Sequence, residues 1–122
     1  MKDNTLVIIN SSPYKDSQAQ DGLDFVMAAA AFDLPVKILF QNDGVLNLLP
    51  NQDSSLINRD NFIDFIKAAE LYEIDPIYIN KSDINKYKLD LNKLLIETNI
   101  IELVEEKNLT DFYKKFNHIL TY

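Results

Sequence analysis

Few side chains in this 122-residue chain are placed to do chemistry, and the missing ones are as informative as those present. Ser11, Ser12 and Ser17 fall in the polar stretch from Asn10 to Ser17, between an apolar run and a helical segment. Alternating α/β folds bring hydroxyls and helix N-terminal N–H groups to phosphates at such a place. This stretch has no glycine to let backbone close on a phosphate, and neither G-x-x-x-x-G-K-[ST] nor G-x-G-x-x-G occurs. A capped turn accounts for it, and no cofactor is expected. His118 is the only histidine and no serine sits in G-x-S-x-G, so a hydrolase lacks its partners and His118 reads as structural. The acidic residues are scattered, with Glu105-Glu106 beside Lys107 reading as a solvated loop, so no metal site is expected.

Sulfur chemistry on the chain's own thiol is excluded outright, because there is no cysteine. Disulfides, thiolate metal sites and persulfides all need one. The thioethers of Met1 and Met27 are the only sulfurs. A phosphoacceptor receiver domain would need an acidic pair after the first strand and an aspartate ending the third. Those places read Asn10-Ser11 and Asn80. An unfamiliar catalytic site around Tyr14, Asp43 and Tyr78 is the remaining enzymatic reading. No catalytic residue is assigned.

The elements that would position these groups alternate along the chain. Leu6 to Ile9 is apolar at consecutive positions, as in a parallel strand covered on both faces. Val36 to Phe40 and Ile77 to Ile79 repeat the pattern. Ile100 to Val104 and His118 to Leu120 are expected as fourth and fifth strands. A helix is expected from about Gln18 to Phe32. A second covers Asp60 to Tyr72, with Phe62, Phe65, Ile66 and Ala69 on its apolar face, Asp64, Lys67 and Glu70 on the other, and Asp60 as N-cap. Asn108 is expected to cap a short helix bearing Leu109, Phe112 and Phe116, and Lys81 to Leu95 to hold a turn or two of helix and a loop. Strands separated by helices imply an α/β fold with a mainly parallel sheet, helices on both faces and right-handed crossovers. One domain, residues 1–122, is expected.

Composition narrows the partners. A net charge of −7 repels a phosphate backbone, so direct nucleic-acid binding is not expected. No apolar run approaches the roughly 20 residues of a membrane span, and the N-terminal segment lacks a signal peptide's basic flank, so a cytoplasmic location is expected. The first helix carries two apolar stripes. Leu23, Val26, Met27 and Ala30 form one, while Gly22, Phe25, Ala29 and Phe32 form the other. Such a helix is buried on more than one side, by a neighbouring helix or by a partner subunit. Phe25, Ala29 and Phe32 are therefore candidate interface residues. Asp43 and Gly44 join them, since the turn Asp43-Gly44-Val45, with glycine at positive φ leading into a short helix over Leu46 to Leu49, would border a groove at the strand ends.

Ser11-Ser12-Pro13-Tyr14 follows strand one, Gly22-Leu23-Asp24 enters an alanine-rich helix, and Phe40-Gln41-Asn42-Asp43-Gly44-Val45 runs on from strand two. Leu48-Leu49-Pro50-Asn51-Gln52, Arg59-Asp60, Leu71-Tyr72-Glu73-Ile74 and Ile119-Leu120-Thr121-Tyr122 come after them. In order and spacing these residues together resemble the DsrE/DsrF-like family, in particular its cysteine-free TusC/DsrF branch. The resemblance implies a three-layer sandwich around a five-stranded sheet. It also implies a non-catalytic subunit of a sulfur-relay complex, built as a heterohexamer with sister chains of the TusB/TusD or DsrH/DsrE type. Such a complex passes persulfide sulfur between sulfur-carrier proteins, toward wobble 2-thiouridine in tRNA or toward dissimilatory sulfur oxidation. A sister subunit carries the acceptor cysteine just after strand three, where this chain has Ile79 and Asn80. A stand-alone flavodoxin-like domain binding a small molecule or nucleotide, alone or as a homo-oligomer, is the alternative.

Overall fold

The computed structural model describes residues 4–13, 17–50, 60–74 and 76–122, with the side chains of 60–64 and 70 left out. Among these, five strands form one sheet: β1 (Thr5–Ile9), β2 (Val36–Phe40), β3 (Ile77–Asn80), β4 (Ile101–Val104) and β5 (His118–Thr121). Their order is β4-β3-β2-β1-β5, and every neighbouring pair is parallel. The helices are α1 (Gln18–Ala31), α2 (Asp60–Leu71), α3 (Lys81–Lys86) and α4 (Leu109–Tyr113). A 3-10 segment, Asn42–Leu48, follows β2.

Alternation along the strands sorts the core into two layers. Val7, Ile9, Val36, Ile38, Phe40, Ile77 and Ile79 point to one face, where they pack with Leu23 and Val26 of α1, Phe65 and Ala69 of α2, and Ile84 of α3. Phe40 and Phe65 meet edge to face at 6.3 Å. Leu6, Ile8, Leu39, Tyr78 and Val104 point to the other face, covered by Leu109, Phe112, Tyr113 and Phe116 of the α4 region. There Tyr78 and Phe112 pack edge to face at 4.7 Å. The division follows from connection handedness. Each step from β1 to β4 moves one way across the sheet, so right-handed crossovers place α1, α2 and α3 on one face. The return to β5 runs the other way and puts α4 on the opposite face.

The second stripe of α1 is covered unevenly. Ala29 is buried in the main core and Gly22 lies under the ring of Tyr122. A Cβ on Gly22 would come within 2.5 Å of Ile9 Cδ1 and 2.9 Å of the Tyr122 ring. Phe25 is 38% exposed and Phe32 80% exposed. In α2, Phe65 and Ala69 are buried and Lys67 is exposed as the periodicity predicts. Phe62, Asp64 and Glu70, and the capping role of Asp60, fall outside the described side chains. Asn108 stands at the N-cap of α4 but makes no side-chain capping bond there, which corrects the expected cap; its φ and ψ are helical, because a 3-10 turn (Glu106–Asn108) already leads into the helix.

Three helices close with the same C-terminal pattern. The N–H of Leu34 reaches the carbonyl of Ala29, that of Ile74 reaches Ala69 and that of Leu89 reaches Ile84. Each needs one left-handed residue, a place usually taken by glycine. Here Asp33 (φ 59°), Glu73 (φ 58°) and Lys88 (φ 53°) take it. A Cβ in that conformation costs on the order of 1 kcal/mol. Glu73→Gly is therefore expected to raise unfolding stability by about 1 kcal/mol, measured by urea denaturation; an unchanged or lowered midpoint would count against this account of the helix end.

Candidate functional site

Ligands in open parallel sheets sit outside the carboxyl ends of the strands. In this chain that end is closed by its own polar groups. At the junction of β1 and β5 the N–H groups of Asn10 and Ser11 both donate to the Tyr122 carbonyl, at 2.7 and 3.3 Å. Ser11 Oγ donates to Gln18 Oε1 at 3.1 Å, and the buried Asn47 donates through Nδ2 to the carbonyls of Ser11 and Gly44. Tyr14 lies outside the described residues.

Next to this, the segment after β2 is pinned from two sides. Asn42 Nδ2 donates to Asn10 Oδ1 at 3.1 Å, and the Asn42 backbone N–H donates to Asp83 Oδ2 at 2.7 Å. Asp83 is buried in the first turn of α3, where a carboxylate suits the helix dipole. Asn42, with φ 51°, takes the left-handed conformation expected of Gly44, and no glycine has positive φ. That corrects the turn: Asn tolerates αL, and Gly44 is needed for space instead. A Cβ on Gly44 would lie 1.8 Å from the Ile9 carbonyl oxygen. The short helix also begins earlier than expected, as a 3-10 segment from Asn42.

Asn80, at the end of β3, is the hub of the remaining contacts. Its Oδ1 accepts from the Ser82 N–H at 2.9 Å and caps α3. Its Nδ2 faces Glu106 Oε1 at 3.1 Å and Gln41 Oε1 at 3.5 Å. Gln41 Oε1 also accepts from the Tyr113 hydroxyl at 3.2 Å. Asn80 is 2% exposed. Around the rim Glu105 takes Lys81 and Lys107, each at 3.4 Å, and these ammonium groups hold its carboxyl below the usual range.

The candidate residues separate into two groups. Asp43 and Gly44 lie at the carboxyl ends of the strands. Phe25, Ala29 and Phe32 lie on α1, which runs back along the sheet so that Phe32 reaches the amino ends. Asp43 Oδ1 accepts from the Tyr87 hydroxyl, while Tyr78 turns to the α4 face, so the two do not converge. His118 is exposed in the edge strand β5. Sequence reasoning missed Asp83, Tyr87, Glu106, Asn47 and Tyr113, whose partners are remote in sequence. One local signal was legible, Asn80 two residues before Ser82, which is an N-cap spacing. Among the described residues no group of three or more His, Cys, Asp or Glu could hold a metal ion. No described helix is long and apolar enough to cross a membrane.

Two tyrosines titrate late for different reasons. The hydrogen bond to Asp43 raises the Tyr87 hydroxyl, aided by burial and by the charges of Asp43 and Asp83. Burial raises Tyr78, aided by Glu102. A folded value above the unfolded one means the contribution is intact below the unfolded tyrosine value, about 10, and is lost as pH rises through the folded value. Asp43→Asn is expected to return one tyrosine to ordinary titration in an ultraviolet absorbance titration, and Tyr87→Phe to remove it. Gly44→Ala is expected to destabilise the fold by roughly 2 kcal/mol or more, as overpacking does, read as a lowered thermal midpoint.

The sequence signature of the DsrE/DsrF-like family matches residues 3–122. The chain belongs to that family. A protein named TusC homolog from Haemophilus influenzae is 35% identical over 106 residues, covering 83% of this chain and 89% of that one. Another of that name from Pseudomonas aeruginosa is 26% identical and covers 99% of both. The intracellular sulfur oxidation protein DsrF of Allochromatium vinosum is 26% identical, covering 91% of this chain and 90% of that one. In three dimensions the fold matches the ychN protein of E. coli with a TM-score of 0.78 over all of both chains, at 15% identity. The expected α/β sandwich of the DsrE type is thus the observed fold.

Proposed function

We propose that this chain is a thiol-free subunit of a sulfur-relay complex, serving tRNA thiolation or sulfur oxidation. It contributes shape and contacts, and a sister chain contributes the persulfide-bearing cysteine. The observation that carries this reading is Asn80. It is one of the two positions, with Ile79, at which the resemblance places the acceptor cysteine of a sister chain, and it is buried with both amide atoms engaged. A persulfide carrier needs the reverse, a thiolate open to its donor with a lowered pKa. The relatives named TusC homolog and DsrF support the pathway, and saturation of the Asn10 and Ser11 amides by Tyr122 counts against a stand-alone nucleotide-binding domain.

The partners in this reading are sister DsrE-like chains, assembled as a heterohexamer in the cytoplasm, and sulfur-carrier proteins. Phe25 and Phe32 offer apolar contact at α1 and its C-cap, Ala29 lies in the core, and Asp43 and Gly44 border the strand ends. Phe25 is partly in water already, so Phe25→Asp is expected to weaken assembly with the sister chains by about tenfold, or roughly 1.4 kcal/mol. The melting temperature of the isolated chain should barely move. Native mass spectrometry of the co-expressed chains checks it, and an undiminished assembly would remove Phe25 from the interface.

The functional test is genetic and chemical. Deleting this chain while leaving the sister chains intact is expected to abolish 2-thiouridine in tRNA or sulfate formation from stored sulfur. An Asn80→Ser form that folds is expected to restore it. Undiminished product in the deletion strain, or a stable added sulfur atom on the isolated chain after treatment with a persulfide donor, would overturn the reading.

A further inference from the structure

The end of the molecule away from the strand-end network carries a second built surface. The C-termini of α1 and α2 come together there, and Phe32, Leu34, Leu71 and Tyr72 are exposed by 80, 58, 73 and 43%. Between the two helix ends lies a groove of about 370 Å³ whose lining includes Asp33, Leu34, Tyr72 and Glu73. Leu34 and Tyr72 line this groove, and together with Phe32 and Leu71, exposed at the same two helix ends, they are more than the scattered exposure that any soluble surface tolerates.

The charge around this patch runs against local stability. Asp33 and Glu73 occupy the left-handed positions that close α1 and α2. Each places a carboxylate at the negative end of a helix dipole, which is disfavoured in addition to the cost of the backbone conformation. Neither helix has a basic residue in its last turn. Lys37, which also lines the groove, turns its ammonium onto the carbonyls of Glu73 and Ile74 at 3.3 Å each, and Lys67 stands a turn back on α2. Two helix ends that share the same unfavourable choice beside one groove point to a use for the charge.

We infer that this end of the molecule docks a protein segment bearing apolar side chains flanked by Lys or Arg. The apolar side chains would seat among Phe32, Leu34, Leu71 and Tyr72. The cations would meet the carboxylates of Asp33 and Glu73, so the pairing favours fast, salt-sensitive association. A second copy of this chain is disfavoured, since it would bring the same carboxylates and a net charge of −7 against its own. The inference deepens the subunit reading, on which it rests for there being a partner at all, and its test does not involve sulfur.

The test uses the full chain and two synthetic amphipathic helices of one pattern, one built of Leu and Lys and the other of Leu and Glu. Fluorescence anisotropy is expected to show binding of the Leu/Lys helix only, weakening as salt rises. The pair Asp33→Lys with Glu73→Lys, and separately Leu71→Ser, are each expected to weaken it about tenfold. The pair Glu97→Lys with Asp111→Lys, an equal charge change at exposed sites elsewhere, should leave it nearly unchanged. Equal loss in both charge pairs would show attraction to net charge alone and overturn the inference, as would equal binding of the Leu/Glu helix. Self-association that Leu71→Ser abolishes would assign the patch to a second copy and also overturn it. Loss of sulfur transfer on deletion, with no binding here, would leave the subunit reading standing and this inference refuted.

Discussion

A parallel sheet cannot leave a face to water, because its central strands are apolar on both sides. In this molecule that constraint governs the rest. β1 and β2 bury Leu6, Val7, Ile8, Ile9, Ile38, Leu39 and Phe40 almost completely, so both faces need a layer. One face receives α1, α2 and α3. The other receives α4, five residues long, and manages through aromatic bulk: Phe112 packs against both Tyr78 and Phe116. The order β4-β3-β2-β1-β5 is the arrangement in which one return crossover supplies that second layer.

The same topology leaves the carboxyl ends of the strands in a row, and in this chain they are filled from within. Asn80, Gln41, Glu106 and Tyr113 satisfy one another, and Asn42 is held between Asn10 and Asp83. Buried polar groups are stable only when partnered. These hydrogen bonds hold the described polar side chains at the strand ends to one another. The fold therefore keeps the geometry of a ligand-binding sheet while its own side chains occupy the strand ends. A subunit that works through contact surfaces fits such an arrangement, and exposed apolar groups lie along α1, at the ends of α1 and α2, and on the edge strand β5.

Local rules held in the elements and failed at their ends. Helix-closing positions that favour glycine carry Asp33, Glu73 and Lys88, while the glycine expected at positive φ, Gly44, is instead required by the approach of the Ile9 carbonyl. Asn42 takes the left-handed place two residues earlier. No sequence pattern distinguishes those two uses of glycine, because one depends on φ and the other on a strand far away in the chain.

By itself the sequence determined the elements and the chemistry ruled out. Apolar runs placed the strands within about a residue, helical periodicity placed α1 and α2, and the lack of cysteine removed thiol chemistry before any coordinates were needed. Those are properties of adjacent residues or of composition. The tertiary structure decided which polar groups meet. Gln41 and Tyr113 lie 72 positions apart, Asp43 and Tyr87 lie 44 apart, and Asn80 and Glu106 lie 26 apart. It also decided that Ala29 is covered while Phe25 and Phe32, in the same stripe of α1, are not. Periodicity reports which way a side chain points along its own helix; what it meets there depends on how the crossovers stack.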